Sequence, residues 1–239
     1  MKRVWILLAL VLVAGLSYLF GWSSIFSVKK VTIAVADSAV AKEIEATLNS
    51  PPAVIVIGEK LARVDKRVIN ARMKTLLWVD KVSIRRNFFS GEVRISIAPR
   101  EPIARLAGSG ESISFLATNL EIFSVSASAV KTASSIGAGD WGVLPTLTMN
   151  RSDRATLEDI KTLIEALEKF GATVKTISAP SQGDLSSAIE ISGKKVEILW
   201  GSVQELALKE RVLQALLAAE ENKKVKRIDL SDPLNPTVR

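Results

Sequence analysis

The chain contains no histidine and no cysteine. Their absence excludes Ser-His-Asp and Cys-His nucleophilic sites, the usual general base at neutral pH and nearly all zinc sites. A Ser-Lys nucleophile needs neither residue, but the S-x-x-K spacing occurs only at scattered positions, Ser27/Lys30, Ser128/Lys131 and Ser192/Lys195, and is typical of chance. No phosphate loop or Gly-rich dinucleotide fingerprint is present. The sequence therefore predicts a protein that is not an enzyme and holds no cofactor or metal.

Aromatic residues are also scarce, at 5% of the chain, and the formal net charge is +7. A nucleic-acid-binding protein concentrates its cations in one patch and interleaves them with aromatic side chains. The sequence shows no such patch, so we expect neither a nucleic-acid partner nor a small-molecule substrate. The surplus of cations favours a mixed, solvated surface, with anionic lipid or an acidic partner as the alternative.

One long apolar run is present, from Val4 to Trp22, with 19 residues and no charge. As a helix it would cover about 28 Å, close to the hydrocarbon thickness of a bilayer. A cleaved signal peptide and a buried core helix are the alternatives, but the run continues well past the possible cleavage site at residues 13–15. Lys2 and Arg3 precede it. The positive-inside rule then predicts a cytoplasmic tail (residues 1–3), a single transmembrane helix (residues 4–22) and an extracytoplasmic body.

Residues 28–100 predict the order strand, helix, helix, strand, strand. A strand at residues 28–36 precedes a helix with Val40, Ile44 and Leu48 on its apolar face, and proline residues end that helix. The second helix is predicted from Asp65 to Leu77. Its predicted inward side chains are Val68, Ile69, Met73, Leu76 and Leu77. The hairpin and its exit, VSIRRNFFSGEVRISIAPREPIARL, are predicted to direct four arginines outward, namely Arg85, Arg86, Arg94 and Arg100.

Residues 101–239 predict a second domain of short strands with two helices. One helix is expected over residues 154–170 with Asp153 as its N-cap and Gly171 at its end. The other is expected to begin at a capping box formed by Ser202 and Glu205. Residues 126–139, dominated by Ser, Ala and Gly, predict a mobile loop. The fold class is α+β: a transmembrane helix, a β-α-α-β-β domain and a mostly antiparallel β-domain with helices.

The last predicted strand, VKRIDL, is the candidate binding site. As the final strand of a sheet it would present unpaired backbone groups at its outer edge, and a strand from a partner could pair with them. Lys223, Lys224, Lys226 and Arg227 would suit acidic residues on that partner. Alternatively, the cations only protect a solvated edge from aggregation. The candidate partner-binding residues are Lys226, Arg227, Ile228, Asp229, Leu230 and Ser231. Proline at Ile228 is expected to abolish binding without unfolding the body.

Residues 58–104 resemble the POTRA domain of the FtsQ/DivIB family of bacterial cell-division proteins. The resemblance rests on Gly58, Leu61 and the Val64-Asp65 helix start, on the Trp78-Val79 step, and on the exit formed by Arg100, Pro102 and Ala104. Later matches are Leu144-Pro145, Gly201-Ser202 with Lys209, and the terminal run Arg227 to Leu230. The sequence departs from the family at the hairpin turn, where Phe88-Phe89-Ser90-Gly91 replaces an aromatic-proline turn.

The resemblance implies a POTRA domain at residues 28–100, a β-domain at residues 101–239 and a role as a non-catalytic scaffold of the divisome. It implies binding of FtsB and FtsL, links to other septal cell-wall synthesis proteins and a place in the cell membrane at the septum. The family contact lies in the last β-strand region and the preceding helix. A POTRA-type chaperone or export component is the alternative, but a single POTRA unit behind one inner-membrane-type helix favours division.

Overall fold

The computed structural model describes residues 2–22, 26–35, 38–108, 112–135 and 139–239. It confirms a mixed α+β fold with a large β-sheet and several helices. The chain divides into two compact units: unit 1 comprises Met1–Arg100 and Thr132–Ala138, and unit 2 comprises Glu101–Lys131 and Gly139–Arg239.

The first helix of unit 1, α1, spans Lys2–Trp22 and contains the apolar run. Across the described parts of the chain, no helix combines the length and apolar character that crossing a membrane requires. The transmembrane anchor therefore stays a prediction.

The rest of unit 1 contains β1 (Lys30–Ala34), α2 (Ser38–Asn49), α3 (Lys66–Met73), β2 (Val79–Asn87) and β3 (Glu92–Pro99). The order β-α-α-β-β is the predicted one. β3 is the central strand of a three-stranded sheet, parallel to β1 and antiparallel to β2. The first strand of the unit thus pairs with its last.

The helices of unit 1 bury one face each. On α2, Val40, Ile44 and Leu48 are buried as predicted, because their spacing of four residues places them on one face. On α3, Asp65 is the N-cap and Ile69 and Met73 are buried. The prediction for two further side chains was wrong, since Val68 is 50% and Leu77 54% exposed. α3 ends at Met73, so the apolar pattern beyond that residue belongs to no helix.

The β2–β3 hairpin aligns Ile84 with Ile95 and Arg85 with Arg94. Ile84 and Ile95 are buried, whereas Arg85 and Arg94 lie on the opposite, exposed face. Arg86 contradicts the prediction of four outward arginines. It shares the inner face with Ile84 and donates to the carbonyl oxygens of Leu61 (3.1 Å) and Val64 (3.3 Å).

Unit 2 is built on a nine-stranded sheet whose strands are ordered β12-β11-β10-β9-β8-β7-β4-β5-β6. Their bounds are β4 (Pro102–Leu106), β5 (Ser112–Ala117), β6 (Ile122–Ser126), β7 (Thr146–Met149), β8 (Thr173–Ser181), β9 (Asp184–Ile191), β10 (Lys194–Gly201), β11 (Arg227–Asp229) and β12 (Thr237–Val238). β7 is parallel to both of its neighbours, β4 and β8, and β10 is parallel to β11. Crossovers separate the strands of these parallel pairs. The other neighbouring strands are antiparallel.

Helix α5 (Arg154–Lys169) packs against β8 and supplies much of the core of unit 2. Its start is as predicted: Asp153 accepts a bond from the Thr156 backbone N–H at 3.0 Å. Its end is also as predicted, with Gly171 at φ +81°, where a residue without a Cβ carries no steric penalty. The buried apolar side chains of α5 are Leu157, Ile160, Leu163, Ile164 and Leu167.

The loop predicted over residues 126–139 is wrong for its first part, where helix α4 spans Ala127–Ser135. Alanine is the best helix former, and four of the nine residues of α4 are alanine or valine. The prediction of a loop from the small residues overlooked this composition. Ser126 precedes the helix and its Oγ accepts from the Ala129 N–H at 3.3 Å. That bond satisfies one of the free donors of the first turn.

Candidate functional site

The predicted binding strand is β11, Arg227–Asp229, which pairs with β10 in parallel. Ile228 aligns with Ile198, and the Leu230 N–H donates to the Leu199 carbonyl at 2.8 Å. The side chains of Ile228 and Leu230 are fully buried. These two residues therefore hold the strand in the core of unit 2 and present no side chain to a partner.

The prediction that the outer edge of β11 is open was wrong, because a later strand of the same chain, β12, pairs with it. β12, Thr237–Val238, pairs with β11 in antiparallel register, Ile228 with Val238 and Asp229 with Thr237. The Arg239 N–H donates to Arg227 O at 2.9 Å, and both Arg227 N–H and Lys226 N–H donate to Arg239 O at 3.0 Å. The last strand of the sheet is thus β12. Proline at Ile228, a position inside the sheet, would also break the body rather than only the edge.

The outer face of β12 follows from this register. In an antiparallel ladder, residues that exchange both backbone bonds alternate with residues whose backbone groups point away from the partner strand. Arg227 and Arg239 exchange both bonds. Val238 is next in the alternation, so its N–H and C=O point away from β11. We define the C-terminal edge as β11, β12 and the turn between them, residues 227–239.

The turn that returns the chain from β11 to β12 is fixed by Asp232. Its carboxylate accepts from the Leu234 N–H at 3.0 Å and from the Asn235 side-chain amide at 2.8 Å. The Asn235 amide and the Leu234 N–H hold the pKa of Asp232 below its ordinary value. Such an aspartate-centred turn is a local sequence feature that orders the return. β12 is consequently placed by the turn as well as by the ladder.

The cations of the site lie at the start of β11. Lys223, Lys224, Lys226 and Arg227 are exposed. Lys223 forms an ion pair with Glu220, and Arg227 Nη1 lies 3.9 Å from Glu197 Oε2. In the part of the chain that the structure describes, neither Lys224 nor Lys226 forms an ion pair with a carboxylate, so these two ammonium groups are the available ones.

Lys209, on α6 (Leu206–Ala218), is buried behind the edge. Its Nζ donates to the carbonyl oxygens of Trp200 (2.6 Å) and Ser202 (2.8 Å), and its side chain is 2% exposed. Burial lowers the pKa of Lys209, an effect that the nearby carboxylates of Glu205 and Asp229 oppose. Lys209 thus ties α6 to the end of β10, the strand on which β11 lies.

The predicted capping box at Ser202 and Glu205 is wrong. Helix α6 begins only at Leu206, and Glu205 precedes it in the left-handed region at φ +54° without a side-chain cap. The carbonyl of Ser202 is bonded to Lys209 instead. The neighbouring Gly201, at φ +64°, lies so close to Ser231 that a Cβ there would be 3.3 Å from the Ser231 Cα. These contacts, rather than a capping box, determine the path of residues 201–205.

The six predicted site residues differ in exposure. Lys226, Arg227 and Ser231 are exposed, Asp229 is half-buried, and Ile228 and Leu230 are buried. That these residues bind a partner stays a prediction. β12 is absent from the sequence-based prediction, although Thr237 and Val238 are both β-branched and follow Pro236, a typical strand signal. No group of three His, Cys, Asp or Glu side chains able to hold a metal ion occurs among the residues described.

The chain is similar in sequence to a known cell-division protein. No protein-family model matches the chain. It is 26% identical over 228 residues to the Cell division protein FtsQ of Streptomyces venezuelae, an alignment that covers 95% of this chain and 79% of that relative. The similarity extends over both units and supports membership of the FtsQ/DivIB family, and the relative's name supports a role in cell division.

Proposed function

We propose that the protein is a non-catalytic scaffold of the divisome that links early and late division proteins at the septum. In this proposal α1 anchors the chain in the cell membrane with its N-terminus in the cytoplasm, residues 28–100 form a POTRA domain, and residues 101–239 form the β-domain that binds FtsB and FtsL. The similarity to FtsQ over 95% of the chain and the β-α-α-β-β order of unit 1 support it.

One observation carries the proposed mode of binding: β12 is a terminal strand of the nine-stranded sheet, and its outer backbone groups have no neighbouring strand among the residues described. A partner strand would add beside β12 and bond to the N–H and C=O of Val238. Acidic side chains on the partner would meet Lys224, Lys226 and Arg227. The binding edge is therefore one strand further out than the sequence predicted.

The backbone part of this proposal is tested by Val238→Pro. Proline at 238 removes the outward N–H but no bond of the β11–β12 ladder, because the inward bonds belong to its neighbours. We expect capture of FtsB by the full-length protein to fall at least tenfold, with secondary structure unchanged. Val238→Ala, which keeps the N–H, is the matched control and should bind nearly as well. Equal binding by both variants would reject pairing at β12.

The charged part is tested by Lys226→Glu combined with Arg227→Glu. The matched control is Arg151→Glu with Lys169→Glu, the same charge change at exposed positions flanking or ending α5, which packs three strands away in the sheet. We expect only the first pair to weaken capture, and added salt to reduce wild-type binding, since exposed charges are screened. Equal loss in both pairs would indicate a nonspecific effect of net charge.

The division role itself has a separate test. Depletion of the protein in its host should give filaments that lack septa. Normal septation after depletion would reject the proposed role whatever the binding experiments show.

A further inference from the structure

The tip of the β2–β3 hairpin exposes a single aromatic side chain on a fixed turn. Asn87 Oδ1 accepts from the backbone N–H groups of Phe89 (3.0 Å) and Ser90 (3.2 Å). Phe89 is 97% exposed, although its neighbour Phe88 packs against Phe26 with 6.4 Å between the ring centroids. Phe89 therefore gains almost no free energy from burial within the described residues and is available to an apolar environment outside the chain.

Cations surround this aromatic side chain. We call residues 85–94, with Lys29 and Lys30, the basic tip; its five cations and one carboxylate, Glu92, give +4. Arg85 and Arg94 lie directly opposite each other in the ladder, an arrangement that is unfavourable for like charges. Arg94 Nη2 contacts Glu92 Oε1 at 3.3 Å. The Glu92 carboxylate thus neutralises only part of the positive charge. An anionic surface would reduce the remaining repulsion between the cations.

The basic tip also contains an open concavity. It has a volume of about 440 Å³ and is lined by Arg85, Arg86, Arg94 and both phenylalanines, with Asn87 and Glu92. Arginine guanidinium groups bind phosphate oxygens in a bidentate manner. Arg85, Arg94 and the exposed Phe89 ring are therefore presented at one end of the unit.

The chain from Phe26 to Lys30 packs on the same tip. The Lys29 N–H donates to Gly91 O at 2.8 Å, and a Cβ at Gly91 would lie 2.7 Å from the Lys29 side chain, so only glycine fits there. Phe26 contacts Phe88. Trp22, the last residue of α1, is four residues before Phe26, which limits their Cα separation to about 14 Å.

We propose that the basic tip docks on an anionic lipid surface, with Phe89 entering the boundary between headgroups and acyl chains and with Arg85 and Arg94 binding lipid phosphates. The short link to α1 means that this argument rests in part on the proposed membrane anchor. One aromatic side chain within a ring of cations is typical of interfacial lipid contact. It offers far less apolar area than a stable protein interface buries, which disfavours a protein occupant.

The absence of cysteine permits a site-specific probe, because a single introduced cysteine is the only thiol in the chain. The full-length protein with Ser90→Cys carries an environment-sensitive fluorophore at the tip. Lys81→Cys, at the other end of β2 and about 20 Å away along the strand, is the matched control. Each is mixed with vesicles of phosphatidylcholine alone or of equal parts phosphatidylcholine and phosphatidylglycerol.

We expect the fluorophore at 90, but not that at 81, to shift to the blue with the anionic vesicles and to return in high salt. Arg85→Glu with Arg94→Glu should abolish the shift, since each cation near such a surface contributes about a fivefold change in partitioning. Lys66→Glu with Lys74→Glu, at the exposed first residue of α3 and the exposed residue after its end, is the charge-matched control and should keep the shift. Phe89→Ser should reduce it without changing the charge.

Flotation with the vesicles separates this proposal from the anchor. Flotation with both vesicle types but no fluorescence shift at position 90 would overturn lipid docking of the basic tip. It would support the membrane anchor and would favour a protein partner for the basic tip. Flotation only with anionic vesicles, lost in the Arg85/Arg94 variant, would support the tip and reject the anchor. No flotation with either vesicle type would reject both.

Discussion

Lys209 is a buried cation whose ammonium group meets two backbone carbonyls and no carboxylate within ion-pair distance among the described residues. The two carbonyls, of Trp200 and Ser202, would lose their donor if the ammonium group were removed. A buried acceptor left without a donor costs more than the bond itself contributes. The side chain is therefore structural, and it supports the strand on which the C-terminal edge is built.

We expect Lys209→Met, which keeps the length and apolar stem, to lower the free energy of unfolding by about 2–3 kcal/mol. Lys195→Met, at an exposed position of β10, should change the free energy of unfolding by no more than about 0.5 kcal/mol. Urea denaturation of both variants measures the difference. Similar values for the two would show that the bonds of Lys209 contribute little.

The lowered pKa of Lys209 gives this residue a pH dependence of known sign. Because its pKa is lower in the folded protein than its ordinary value of 10.5, the unfolded chain binds more protons at alkaline pH. Stability then rises with pH as the folded pKa is passed, up to about 10.5. A neutral amine still has two N–H donors for its two carbonyls. The wild type should thus gain stability relative to Lys209→Met over this range.

At the scale of elements, β12 is a strand of two residues that nonetheless closes the ladder of β11. Deleting residues 237–239 would leave the N–H groups of Lys226 and Arg227 and the carbonyl of Arg227 without their bonds to Arg239. We expect the free energy of unfolding to fall by about 1.5–4.5 kcal/mol, since each of these three bonds contributes about 0.5–1.5 kcal/mol. Amide exchange at Arg227 should accelerate while exchange at Ile160, in the core, changes only with global stability. Unchanged protection at Arg227 would contradict the pairing.

The elements that the sequence predicted well are those whose patterns are local. The apolar faces of α2 and α5 repeat every three or four residues, and Asp153 and Gly171 mark the ends of α5. The prediction failed where long-range contacts decide the structure. Ser202 bonds to Lys209 rather than to Glu205, and Arg86 reaches the carbonyls of Leu61 and Val64. The edge of β11 was wrongly predicted to be open because its neighbour β12, with two residues, is too short to show the alternation of a strand.

For the whole molecule, the lack of histidine predicts a broad plateau of stability. Histidine is the residue type whose side chain ordinarily titrates between about pH 5 and 8, and the sequence contains none. Among the described residues, three carboxyls have pKa values below their ordinary 4.5 or 3.8. The Thr32 hydroxyl and then Arg94 lower the pKa of Glu92, the Thr156 N–H and hydroxyl that of Asp153, and Asn235 and Leu234 that of Asp232. They stabilise the fold above those ordinary values.

We expect thermal unfolding to occur at nearly constant temperature from about pH 5.5 to 8 and at falling temperature below about pH 4.5. The three carboxylates are then protonated, first in the unfolded chain. Asp159 acts in the opposite sense, because burial raises its pKa, and its protonation partly offsets the loss. Calorimetry on Asp153→Asn should show a shallower acid slope than the wild type. An equal slope would exclude Asp153 as a contributor.

The four residues of β7 have a consequence for how unit 2 folds. β4, β5 and β6 form one antiparallel meander and β8, β9 and β10 another, each joined by short connections. Thr146–Met149 is the seam, parallel to a strand of each meander and distant from β4 in sequence. Local pairings form faster than distant ones. The two meanders should therefore assemble early, and insertion of Leu147 between them should set the refolding rate of the sheet.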